Sequence, residues 1–232
     1  MKTFSLYILL VLMFLGLTKS LSRSSKGTPY IVSEVTYSNF FRGGDLSVIL
    51  IDSFKTGFLI KTYYHKYLVI RGFRSPKTVI VRTSRRHWER NQPNIGLSLF
   101  RRAERSNLES SIPLPPGSLY LGSPAYGTWE RQPSGQRVWE FHRVYKQFPK
   151  FFGWGEFRPS KDFYIKLEQY KKDNRAFYGL NREFGTEGII TKEAFQYQRE
   201  NRERKIDFKA LFIKLFNIPP WKITESVGTI LK

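Results

Sequence analysis

The stretch that decides the fold is Pro113–Ser160, PLPPGSLYLGSPAYGTWERQPSGQRVWEFHRVYKQFPKFFGWGEFRPS. It holds Trp129, Trp139 and Trp154, three of the five tryptophans in the chain, with Arg131, Arg137, Arg143, Lys146, Lys150 and Arg158 alongside. Pro115-Pro116-Gly117 and Ser123–Gly127 carry loop and turn chemistry. Pro133-Ser134-Gly135-Gln136 reads as the turn of a hairpin joining Tyr126–Arg131 to Arg137–Tyr145. Period-two alternation in the second arm sets Val138, Glu140, His142 and Val144 on one face, and Trp139, Phe141, Arg143 and Tyr145 on the other. The stretch therefore joins two different halves.

The half before it is β-rich. Ile31–Tyr37 is dense in β-branched residues, and Arg42–Asp45 reads as a turn. Leu46–Ile51 is a short apolar run consistent with a buried strand. Phe58–Phe73 reads as one long or two short strands, Arg74–Lys77 as a turn and Thr78–Thr83 as a strand. Turns at this spacing predict an antiparallel meander or small barrel. The half after the stretch is helical. Ser160 is an N-cap for a helix over Lys161–Asp173, with Phe163, Leu167 and Tyr170 on one stripe. Residues Ala176–Gly188 read as a loop, Thr191 as the cap of a helix through Arg204, and Asp207 as the start of a third segment through Phe216. Asn217–Pro220 stops that segment. The fold class is α+β: an N-terminal antiparallel β-rich portion, a central Trp-rich hairpin and a helical C-terminal third.

The segmentation follows. Residues 1–20 read as a signal peptide, from the basic start, the apolar run Phe4–Leu17 and the small residues ending at Ser20. That run is too short to span a bilayer, which takes ~20 apolar residues. Residues 21–29 read as a flexible leader and 30–105 as the basic β-rich portion. Residues 113–158 are the Trp/Pro/Gly-rich hairpin and loop region, and 159–232 a helical portion packing on the rest. About 210 residues remain after cleavage, enough for one sizeable domain or two small ones, and 30–232 reads equally as one domain. The chain has no cysteine, which excludes thiol nucleophiles, thiolate metal sites and a disulfide-built fold.

Charge is the strongest global signal. Lys and Arg total 39 against 19 Asp and Glu, a formal +20. Such an excess points to an anionic partner, and export directs that expectation to acidic polysaccharide or an envelope surface and away from nucleic acid. An envelope protein partner is the other expectation. The most basic block, Arg71–Arg105, has ten Arg or Lys against two Glu. Within it Arg85-Arg86-His87-Trp88 sets two guanidinium groups beside an indole, a combination suited to anions; an Arg-rich connector packing Trp88 inward is the alternative.

There is no phosphate-loop, HExxH or GxSxG motif, and Gly153–Arg158 supplies too few glycines for a dinucleotide fingerprint. His65, His87 and His142 are far apart with no ligand spacing, so neither a metal nor a cofactor is expected. Candidate ligand-binding residues are Arg85, Arg86, Trp129, Arg131, Trp154 and Arg158, with Trp129 and Trp154 expected exposed beside glycines. Candidate catalytic acids are Glu140 and Glu156, each close to a Trp that would raise its pKa; simple pairing with a neighbouring Arg is the alternative. Three functions stay open: a non-enzymatic, exported cell-envelope protein that binds an anionic glycan or another envelope component, in the periplasm, at the cell surface or secreted; a glycosidase of peptidoglycan or polysaccharide; and a structural part of an envelope or surface-appendage complex.

Overall fold

The computed structural model of the chain describes residues 2–22, 28–57, 61–72, 74–103 and 108–195, all within one compact unit, Met1–Gln196. The helices expected beyond Phe195, including 207–216, lie outside the described residues. The architecture is mixed α+β, a six-stranded sheet followed by helices toward the C-terminus.

Helix α1 (Lys2–Ser22) comes first, and its side chains from Phe4 to Leu15 are exposed. Among the described residues no helix is long and apolar enough to cross a membrane. Then follow β1 (Tyr30–Ile31), α2 (Val35–Phe40), β2 (Leu46–Thr56), β3 (Thr62–Arg71), β4 (Lys77–Thr83), α3 (Arg85–Arg90), β5 (Ser98–Ala103) and β6 (Leu108–Ser110). The strand order is β1-β4-β3-β2-β5-β6; β1 runs parallel to β4, and the other pairs are antiparallel. Strand β2 is central, and Leu46 through Asp52 are all buried, so both faces of the sheet are covered there.

Cross-strand partners share a face. Register places Val48 beside Val69 and Phe100, Leu50 beside Tyr67, and His65 beside Val81. Helix α2 covers this face through Tyr37, whose ring lies 5.9 Å from both Tyr67 and Phe100. The opposite face presents Ile49 and Leu68, and Leu68 lines a groove with Phe151 and Phe195 of the C-terminal part.

The stretch Ile31–Tyr37 is not the strand that its composition predicts. Only Tyr30–Ile31 pairs with β4, and Val35–Phe40 is helical. Burying the Tyr37 ring against the sheet outweighs the β preference of Val35 and Thr36. The second hairpin arm is also shorter than predicted. Strands β7 (Gly127–Arg131) and β8 (Arg137–Phe141) pair with Trp129 opposite Trp139, but Arg143–Tyr145 turns into a 3-10 helix. Helix α4 (Phe148–Phe152), absent from the sequence reading, follows with Pro149 in its first turn.

Helix α5 (Lys161–Lys172) begins where Ser160 Oγ accepts the Phe163 backbone N–H at 3.1 Å. Successive ring contacts, Tyr120–Phe148, Phe148–Phe152, Phe152–Trp154, Trp154–Phe157, Phe157–Phe163 and Phe163–Phe177, tie the hairpin region to α5 and the loop after it. Aromatic pairs of this kind add to simple area burial. Residues 189–195 form the last described helix. Thr191 lies inside it and does not cap it. Its side chain abuts Gly96 so closely that a Cβ there would sit 2.0 Å from Thr191 Oγ1.

Candidate functional site: a cation-rimmed pocket

The basic block Arg71–Arg105 divides by what each cation touches. Arg101 is buried and donates to the carbonyls of Ser98 and Ile112 and to Ser110 Oγ. Burial lowers its pKa to about 9, so it stays charged at neutrality. Arg102 donates to Glu109 Oε1 at 2.6 Å, to Phe41 O at 2.7 Å and to Ser38 O and Gly43 O at 3.1 Å each. It thereby satisfies carbonyls around the C-terminal end of α2. Arg90 pairs with Glu34 at 3.2 Å, Arg85 with Glu89 at 2.7 Å, and Arg82 stacks over Tyr30.

Arg86 is exposed on α3 and Arg105 lies outside the described residues, which leaves Arg71, Arg74 and Lys77. Strand periodicity explains their meeting: Arg71 follows Val69 on the α2 side of β3, and Lys77 precedes Val79 on the same side of β4. The β3–β4 turn between them carries Arg74 and Ser75. Phe40, the last residue of α2, and Phe41, which caps it, close the space to a pocket of about 300 Å3, lined by Phe40, Phe41, Val69, Val79, Ser75 and the three cations. Phe41 and Val69 are buried, Phe40 and Val79 half-buried, and the cations exposed. Arg71 Nη1 lies 3.7 Å from where a Cβ on Gly43 would be, at a backbone φ of +116° that disfavours any side chain. No Asp or Glu among the described residues lines the pocket. Among the described residues no carboxylate is within ion-pair distance of these three cations. The result is an apolar floor under a cationic rim that no described carboxylate compensates.

Behind the floor runs a buried polar chain. His65 Nδ1 lies 2.8 Å from the Tyr67 hydroxyl, Tyr67 3.0 Å from the Tyr37 hydroxyl, and Tyr37 2.8 Å from His87 Nε2. His87 Nδ1 faces Glu34 at 3.6 Å. One set of protons satisfies the whole row: His65 Nδ1–H donates to Tyr67, Tyr67 to Tyr37, Tyr37 to His87 Nε2, and His87 Nδ1–H points at Glu34. His65 Nε2, which has no protein partner among the described residues, is then a bare lone pair, less costly to bury than an N–H. Burial drives the His65 pKa down to about 3, helped by the nearby His87. Burial also lowers His87, against the pull of Glu34. Burial raises Glu34, but its backbone hydrogen bond, His87 and Arg90 outweigh this and hold it below the ordinary carboxylate value. Sequence spacing keeps His65 and His87 apart; the fold brings their rings to 5.4 Å. The signal that would have found this was the alternation of Tyr63, His65, Tyr67, Val69 and Arg71 on one face of β3. None of the row's members lines the pocket.

The residues singled out from sequence fall in separate places. Arg85 and Arg86 are exposed on α3, whose first turn is capped by Ser84 Oγ accepting the His87 N–H. Trp129 is half-buried on the hairpin, 5.0 Å from Trp139 and 5.5 Å from Tyr164, with Lys161 Nζ 4.6 Å from its ring centre. Lys161 lies over its ring, and Trp139 and Tyr164 flank it. Trp154, expected exposed, is buried at 2%. Its indole N–H donates to Pro116 O at 3.0 Å, and its ring packs where a Cβ on Gly117 would be 2.6 Å away. The glycine beside it gives the chain its turn, and the indole is a core anchor. Arg131 is exposed and in register with Arg137, two like charges facing each other beside the hairpin turn.

Glu140 lies 3.5 Å from Arg158, the arginine pairing that its basic surroundings favour. Arg158 also donates to the carbonyls of Gly155 and Phe157. Glu156 is exposed in a groove of about 590 Å3 that Lys150, Arg158 and Glu193 also line. Among the described residues no group of three His, Asp or Glu side chains is arranged to hold a metal ion.

No protein-family model, curated protein or solved structure matches this chain.

Proposed function

We propose that this chain is an exported, non-enzymatic, strongly basic protein of the cell envelope that binds an anionic envelope component. The observation that carries this reading is the pocket of Arg71, Arg74 and Lys77, where three cations meet and, among the described residues, no carboxylate answers them. Like charges brought together at a cost are the arrangement an anion relieves. The N-terminal order of charge, apolar run and small residues supports export, with cleavage after Ser20. The finer architecture belongs to the same reading: an antiparallel meander carries the pocket, and the Trp-rich hairpin joins it to a helical C-terminal third.

The test is retention of the purified chain on acidic polysaccharide and on anionic vesicles at rising salt. Retention strongest at low salt supports the reading, because screening weakens exposed charges beyond a Debye length of ~8 Å at physiological ionic strength. Absence of retention at low salt overturns it. Export is tested separately by mass spectrometry of the protein recovered from the medium or periplasm; an intact N-terminus beginning at Met1 contradicts it.

One observation favours a second reading, glycan cleavage. Glu156 and Glu193 line the same groove, and a pair of carboxylates is what glycoside hydrolysis requires. Zymography on peptidoglycan with Glu156→Gln and Glu193→Gln tests it; clearing that survives both substitutions removes that groove from any cleavage.

A further inference from the structure

We infer that the pocket's ligand is an anionic amphiphile, a phosphorylated lipid whose head group meets the Arg71–Arg74–Lys77 rim while the first part of its alkyl chain lies on the Phe40–Phe41–Val69–Val79 floor. The inference rests on the anion-binding reading and names the chemistry of that same site.

Two features of the pocket argue for it together. A purely polar polyanion needs cations on an open surface and gains nothing from apolar walls. Here four apolar side chains, from α2 and its C-terminal cap and from β3 and β4, form the floor, and the site stays open to solvent, where unoccupied apolar surface is unfavourable. A purely apolar ligand, in turn, gives three cations nothing. Phosphate suits the rim better than a carboxylate does. A phosphate monoester carries about −1.5 to −2 charge at pH 7, and two guanidinium groups each match its oxygens in a bidentate fork. The volume of about 300 Å3 is at the low end for small-molecule sites, so the floor takes the start of one chain and the remainder stays with the membrane or micelle. The chain that carries Phe40 and Phe41 is held in place, because Arg102 donates to the Ser38, Phe41 and Gly43 carbonyls around them.

The experiment is a titration of the full chain with dodecyl phosphate below its micelle concentration, beside inorganic phosphate, dodecyl maltoside and heparin, and with phosphatidylcholine vesicles with or without phosphatidic acid. Dodecyl phosphate is expected to bind about tenfold or more tighter than either inorganic phosphate or dodecyl maltoside, the effect of burying two or more methylenes beside a paired charge. Vesicles are expected to be bound only with phosphatidic acid. Val79→Thr keeps the shape of a half-buried floor residue and replaces one methyl with a hydroxyl. It is expected to weaken dodecyl phosphate severalfold while heparin retention stays unchanged, and an unaltered melting transition shows that the fold is kept. Dodecyl phosphate no tighter than inorganic phosphate, or insensitive to Val79→Thr, overturns the amphiphile and leaves the anion reading standing on heparin. Dodecyl maltoside equal to dodecyl phosphate overturns the role of the rim. Binding of dodecyl phosphate without binding of phosphatidic acid vesicles overturns a membrane lipid as the source. Loss of every anion, heparin included, overturns the functional reading itself.

Discussion

The Phe41 ring meets the Tyr67 ring edge-on, 5.9 Å apart at 87°. Through this contact the floor of the cationic pocket and the buried Tyr–His row share one wall. Helix α2 supplies Tyr37 to the row, and the residue that caps it, Phe41, to the pocket, so anything that loosens the row loosens the floor.

The row acts as a unit. Tyr67→Phe removes the acceptor for His65 and the donor to Tyr37, leaving buried polar atoms unmatched, and is expected to cost about 2–3 kcal/mol. Tyr37→Phe leaves His87 Nε2 without its donor and costs a similar amount. The double variant is expected to cost less than the sum, because both changes break the same chain of bonds. Urea denaturation of the three variants checks this, and strict additivity contradicts a connected row.

Acid sensitivity has a defined window. In the unfolded chain His65 titrates near 6.5, and in the folded protein near 3. Between these values the unfolded state holds a proton that the folded state excludes, so stability falls as pH falls, by up to about 1.4 kcal/mol per pH unit. Above 6.5 the contribution is flat. His87 is shifted in the same direction by burial, and Glu34, held low, adds acid sensitivity below the ordinary carboxylate range. Urea midpoints measured from pH 7.5 down to 4.5 check the slope. His65→Asn keeps a donor toward Tyr67 without the titration and is expected to flatten the upper part of that range. An unchanged slope contradicts the assignment to His65.

The tryptophans separate by burial. Trp154→Ala empties a buried site and is expected to cost about 3–5 kcal/mol, leaving the pocket's anion affinity unchanged under conditions where the protein is folded. Glu140→Gln removes a partly exposed ion pair with Arg158 and is expected to change stability by under about 1 kcal/mol. Thermal denaturation beside a binding titration checks both. A large loss of affinity in Trp154→Ala at unchanged stability returns the indole to the ligand site.

Gly96 marks where residues 189–195 dock against the chain leading into β5. Its φ is +88°, and a Cβ would meet Thr191 Oγ1 at 2.0 Å. Gly96→Ala is therefore expected to cost about 1–3 kcal/mol through backbone strain and overpacking. Thr191→Ala in the same chain removes the two nearest of the clashing atoms and is expected to restore part of the loss. Denaturation of the single and double variants checks it, and no recovery in the double variant contradicts the contact.

Local signals in the sequence were enough for Leu46–Ile51, the Pro133–Gln136 turn and the Ser160 cap, because an apolar run, a Pro-Gly turn and a capping hydroxyl act within a few residues. Helix α2 was not legible, since what fixes it is Tyr37 reaching the sheet at Phe100 and Tyr67. Helix α4 is five residues long, too short for periodicity, and carries a proline in its first turn. The pocket was half legible. The Arg74–Lys77 turn and strand alternation place Arg71 and Lys77 on one side of β3 and β4, but the arrival of Phe40 and Phe41 depends on α2. Trp154 misled because flanking glycines suggest exposure; here they let the backbone turn while the indole packs inward.

The most direct measurement compares two triple variants of equal net charge in salt-dependent retention on an anionic support. One is Arg71→Gln with Arg74→Gln and Lys77→Gln, at the pocket. The other is Arg131→Gln with Arg137→Gln and Arg143→Gln, at the hairpin, where Arg131 faces Arg137. The pocket triple is expected to release from the support at clearly lower salt than the hairpin triple, which stays close to the unaltered chain. Equal loss in the two contradicts a pocket site and leaves only diffuse charge.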